Sequence, residues 1–235
     1  MKHWRLVATV GVLTSYCLAR SWVYEVYPAR SLAAWFERDT LMTAPRLAAF
    51  VLLFGIYTGW RRPGEWKFRG GAWLVVGAFG MAALWWVYFS GGVGEKFGGR
   101  DIVVGAATSL VVGLFEEYAY RGPPLMELGQ CVSERAAISV SSLLFMLYHF
   151  QAQNLESWPT IFLTGVTLAN LRCRGLSLSW LVLAHGVTDT GYFIFGSQAP
   201  PFMSFPGMIL VAGTLVCALR TLPANRSSVP ENPNT

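Results

Sequence analysis

Apolar stretches recur along almost the whole of this chain, and many are long enough to cross a bilayer. A segment of that kind, about twenty residues long, crosses as a helix, so the expected fold is an all-α, polytopic integral membrane protein. Composition agrees. Of 235 residues, 54% are hydrophobic and only 13% are charged, whereas a soluble domain carries about 25% charged residues. The net charge of +5 is therefore read as loop charge that sets orientation, with no nucleic-acid partner implied. A single transmembrane domain is expected over residues 1–222, followed by a Pro/Asn/Ser-rich tail, 223–235, that is too polar to fold.

Hydropathy places about eight helices, at roughly 4–19, 45–60, 71–90, 102–121, 136–153, 158–172, 176–195 and 205–222. The opening segment, MKHWRLVATVGVLTSYCLARSW, has the basic start and apolar run of a signal peptide. No small-x-small site follows cleanly, so it is expected to remain as the first helix. Loop Lys and Arg residues favour a cytoplasmic N-terminus by roughly two to one. On that count Arg20, Arg30, Arg38 and Arg46 fall outside, around a long loop near 20–45, and Arg172 falls in an inner loop. The four cysteines have neither CxxC nor zinc-type spacing.

Against this apolar background six ionisable residues stand inside membrane-length segments: Glu116, Glu117, Arg121, His149, His185 and Asp189. Each costs about 2.5 kcal/mol or more to place in hydrocarbon, so such groups are rare without a role. They form three blocks, GLFEEYAYRG, FMLYH and HGVTD. On a helix Glu117 and Arg121 stack one turn apart and can neutralise each other. Glu116 points about 100° away, which leaves it available as a base on water; the competing reading is one packing network of all three. Phe145 lies one turn before His149, and His185 one turn before Asp189. A His–Asp pair on one face can orient an imidazole, bind a metal or relay protons. The set suits general-base hydrolysis, in which one group deprotonates water while others stabilise the oxyanion and protonate the leaving amine. There is no GxSxG and no HExxH, and no serine or cysteine is placed beside a histidine, which argues against a covalent route.

These three motifs, Glu116-Glu117-xxx-Arg121, Phe145-xxx-His149 and His185-xxx-Asp189, resemble in order and spacing those of the CAAX-protease and bacteriocin-processing (CPBP, or Abi) family of intramembrane endopeptidases. The resemblance spans roughly residues 100–195. It implies a glutamate-dependent peptidase with a cavity between the fourth, fifth and seventh helices. Glu116 would activate water with His149 assisting, and His185 and Asp189 would stabilise the oxyanion. Glu117, Arg121 and Phe145 would support the site. Position 189 departs from the Asn of the prenyl-protein endopeptidases, and an ionised Asp cannot donate to an oxyanion. It would have to be protonated, or act by orienting His185. No cofactor is implied; a zinc-dependent version would use Glu116, His149, His185 and Asp189 as ligands. The implied partners are the bilayer and a membrane-anchored or lipidated protein or peptide, in a prokaryotic plasma membrane. A non-proteolytic immunity or scaffold member of the family, and a transporter or proton relay using the same carboxylates and histidines, are the alternatives. One tension stands in the expected topology. Glu116 falls toward the inner end of the fourth helix and His149 toward the outer end of the fifth, so they meet only if the helices extend past these boundaries.

Overall fold

The structure is a computed structural model that describes residues 3–28, 32–58, 66–68, 99–149 and 158–195. Every regular element among these residues is a helix: α1 (Trp4–Val26), α2 (Leu32–Leu41), α3 (Thr43–Ile56), α4 (Gly99–Arg121), α5 (Pro123–Cys131), α6 (Glu134–Tyr148), α7 (Trp158–Cys173) and α8 (Leu178–Phe195). Three described stretches, Trp4–Val26, Glu37–Ile56 and Gly99–Cys131, are long and apolar enough to cross a membrane. The expected spans at 71–90 and 205–222, and the tail 223–235, lie outside the described residues.

The packing is inverted relative to a soluble bundle. On α6, Val140, Leu143, Leu144 and Leu147 are exposed, while Ser141, Ser142, Phe145 and Tyr148 are buried. Leucines outward and serines inward is the arrangement that lipid selects, because hydrocarbon gives leucine no reason to turn inward and gives a hydroxyl no partner outside. Both buried serine hydroxyls of α6 bond to a carbonyl, Ser142 to Ile138 at 2.7 Å and Ser141 to Tyr120 of α4 at 2.5 Å.

Two expectations are corrected. The long outer loop near 20–45 is largely helical, since α1 runs on to Val26 and α2 fills Leu32–Leu41. Arg20, Arg46 and Arg172, assigned above to loops, are buried inside helices at 4%, 3% and 2% exposure. Hydropathy ends a segment at a charge, yet a guanidinium stays inside when other groups satisfy it. Arg46 pairs with Asp39 at 2.5 Å. Arg172 donates to the carbonyls of Arg121 and Leu176, both at 3.0 Å. The Arg121 carbonyl comes from another helix, 51 residues back, so no local window reveals it.

Helix α4 is the centre of the bundle, with α8, α3 and α6 packed against it. The α7–α8 turn is tight. Leu176 N–H bonds back to Leu171 and Gly175 N–H to Arg172, with Gly175 at φ 101°, a Schellman ending that needs glycine at the left-handed position. The depth tension resolves in α5. Pro123 and Pro124 open a second helix directly after α4, prolines being tolerated in a first turn, and the path away from Glu116 continues to Cys131. Fifteen residues separate Glu116 from Cys131, and fifteen separate Glu134 from His149. The chain descends and returns by equal lengths, so Glu116 and His149 end level. The turn between the two legs sits at the amino end of α1, where Cys131 Sγ lies 3.3 Å from His3 Nδ1.

Candidate active site

Three helices bring the ionisable residues together. Glu116, Glu117 and Arg121 come from the last turns of α4, His149 from the residue that caps α6, and His185 and Asp189 from α8. All six converge.

Glu117 is fully buried and bridges two cations or donors through one oxygen. Its Oε1 lies 3.2 Å from Arg121 Nη1 and 2.7 Å from His185 Nδ1. The i,i+4 pair expected from spacing is present, and Glu117 also holds the histidine. The guanidinium of Arg121 stacks on Phe145, with Cζ 3.9 Å from the ring centroid. Phe145 packs edge-on against His149 at 4.6 Å and against His185 at 6.1 Å between centroids. One aromatic ring thus spaces the cation and both imidazoles.

Glu116 occupies the centre of the cluster. Its Oε2 lies 3.8 Å from His149 Nε2 and 3.6 Å from His185 Nε2. The other nitrogen of each ring is engaged. His149 Nδ1 is 2.8 Å from the Phe145 carbonyl, to which only an N–H can donate. His185 Nδ1 faces Glu117. Both Nε2 atoms are therefore the ones turned toward Glu116. Asp189 Oδ2 stands 3.6 Å from His185 Nε2, and its side chain is the most open of the set at 34% exposure, against 3% for Glu116. Glu117, at 2.7 Å, is the carboxylate that orients His185. Among the described residues, no group of three or more His, Cys, Asp or Glu side chains is arranged to hold a metal ion.

Two features of this site were not assigned from sequence. Gly113 and Gly186 let α4 and α8 touch. A Cβ on Gly113 would stand 2.9 Å from the Val182 carbonyl oxygen, and one on Gly186 would stand 3.2 Å from the Leu110 Cα. Small residues permit this approach between membrane helices, and it is what brings His185 to Glu117. Both glycines stand inside the motif blocks, so their position was visible even though their task was not. The second feature is α1. Arg20 donates to the Tyr148 carbonyl at 2.9 Å, and Tyr148 Oη donates to Tyr16 Oη at 3.3 Å. No sequence signal near either motif points to a helix about a hundred residues upstream.

Residues 98–191 match the family model described as Type II CAAX prenyl endopeptidase Rce1-like. The matched segment contains all seven residues of the three motifs and none of α1 to α3. Comparison with curated proteins and with solved structures gives no match.

Proposed function

For a membrane protein whose residues 98–191 form an Rce1-like CAAX-endopeptidase segment, we propose intramembrane peptide-bond hydrolysis by a glutamate-activated water. The supporting observation is the convergence of Glu116 Oε2 with two imidazole Nε2 atoms, at 3.8 and 3.6 Å, from three separate helices. Glu116 and His149 are spaced so that one water, about 2.8 Å from each, bridges them.

In this reading Glu116 takes a proton from that water while His149 Nε2 accepts the second hydrogen and aims the oxygen. The oxygen attacks the scissile carbonyl carbon, and the carbonyl π pair moves onto its oxygen. His185, protonated and held at Nδ1 by Glu117, donates Nε2–H to that oxyanion. Asp189 in its protonated form supplies a second donor. Glu116 then returns its proton to the amide nitrogen, the C–N bond breaks, and the oxyanion pair re-forms the carbonyl. Arg121 balances the charge of Glu117, which in turn fixes the tautomer of His185. No step in this reading passes through a metal.

The proposed substrate is a membrane-anchored or lipidated protein or peptide, reaching the site from the bilayer. Cleavage of a panel of farnesylated and unprenylated membrane-anchored peptides by purified protein tests the reading. Wild type cleaves, Glu116→Gln and His149→Ala do not, and chelator leaves the rate unchanged. Cleavage that survives Glu116→Gln refutes the mechanism; loss on chelation with recovery on zinc moves Glu116, His149, His185 and Asp189 into ligand roles.

A further inference from the structure

The last four carbonyls of a helix have no partner within it, and in a membrane interior no water serves them. At the end of α6 those carbonyls belong to residues 145–148. The Phe145 carbonyl accepts from His149 Nδ1 at 2.8 Å. The backbone N–H of His149 folds back to Met146 and Leu147. The Tyr148 carbonyl is served from another helix altogether, by Arg20 Nη1 at 2.9 Å. A cation at this position also complements the negative end of the helix dipole.

Arg20 is held firmly where it stands. It is 4% exposed, and its Cζ lies 4.5 Å from the Tyr148 ring centroid and 4.9 Å from that of Tyr24. Tyr16, one turn earlier, meets the Tyr148 hydroxyl at 3.3 Å. Helix α1 therefore grips Tyr148 at its carbonyl, its ring and its hydroxyl. The next residue is His149, the only described site residue outside a regular helix. Its ring orientation depends on the turn that Tyr148 closes.

We propose that Arg20, on a helix outside the family-matched segment, is a positioning residue for His149: it caps the carboxyl end of α6 and fixes the turn that presents the imidazole to Glu116. Its consequence for catalysis rests on the peptidase reading, whereas its structural part does not. The chain has three histidines, so imidazole signals can be assigned one by one with His→Gln variants.

The test uses the full chain with 13C,15N-labelled histidine in nanodiscs, read by NMR, alongside peptide cleavage. In wild type, His149 shows the Nδ1–H tautomer. In Arg20→Met its nitrogen shifts move toward a tautomer mixture, while those of His185 stay in place and serve as the control for folding. kcat falls roughly 10- to 100-fold, the cost expected of a misplaced catalytic group, with KM changed by less than about twofold because the substitution removes orientation and not binding. Arg20→Lys keeps one donor and the charge and restores part of both readouts; it also carries the test if Arg20→Met fails to fold. Unchanged His149 signals in Arg20→Met, or equal loss in Arg20→Lys and Arg20→Met, overturn the proposal. Shifted His149 signals in a protein whose wild type cleaves no peptide sustain the cap and count against the peptidase reading instead.

Discussion

Removing Arg121 exposes the energetics of the site most directly. Arg121 and Glu117 are both fully buried and 3.2 Å apart. Arg121→Met keeps most of the volume but leaves the Glu117 carboxylate in the interior without its guanidinium. Breaking a buried pair from one side costs about 3–5 kcal/mol, and loss of the stack on Phe145 adds roughly 1–2 kcal/mol. His185 offsets part of this, because its Nδ1 lies 2.7 Å from the same oxygen and a protonated ring keeps one cation beside the charge. The expected destabilisation is therefore about 3–4 kcal/mol, toward the lower end of the range. The double variant Arg121→Met/Glu117→Gln removes both charges at similar volume and should recover all but about 1–2 kcal/mol, since an apolar replacement of a buried pair is often close to neutral. Activity should behave differently. The double variant stays inactive, because the neutral amide that replaces the Glu117 carboxylate no longer balances a charged His185. The assay is reversible denaturation in mixed micelles for the four members of the cycle, with cleavage measured on each. A single-variant cost below about 1 kcal/mol, or a double variant no more stable than Arg121→Met, would show that the pair is not the buried, mutually dependent unit described here.

Two further outcomes follow from the geometry. Gly186→Leu places atoms where Leu110 stands, with even the Cβ 2.8 Å from Leu110 Cδ2. It should separate α4 from α8, cost about 1–3 kcal/mol as overpacking does, and lower the cleavage rate; a variant with wild-type stability and rate would mean that the close approach is dispensable. Accessibility should divide the molecule. Cys131 sits beside His3 at the amino end of α1, whereas Asp189 lies one turn beyond His185 on α8, further from the α7–α8 turn that Arg172 ties to the end of α4. With the other cysteines replaced by serine, a membrane-impermeant maleimide should label Cys131 from the face that carries the N-terminus and Asp189→Cys only from the opposite face. Labelling of both from one side contradicts that layout.

Much of this protein was legible in its residues. Apolar stretches of membrane length dictate helices, and six of the segments inferred from hydropathy fall on described helices. The cost of a charge in hydrocarbon singles out Glu116, Glu117, Arg121, His149, His185 and Asp189, and helical spacing correctly pairs Glu117 with Arg121. These are local properties, set by composition and by the 3.6-residue repeat. What tertiary structure alone decided is how the blocks meet. The descent through α5 levels Glu116 with His149, the contact of Gly113 with α8 delivers His185 to Glu117 rather than leaving Asp189 to orient it, and α1 supplies Arg20 to a carbonyl more than a hundred residues away. The misassigned arginines show the physical reason. A buried charge is permitted or forbidden by its partners, and for Arg20 and Arg172 those partners include the ends of other helices, positions that exist only after the chain has packed.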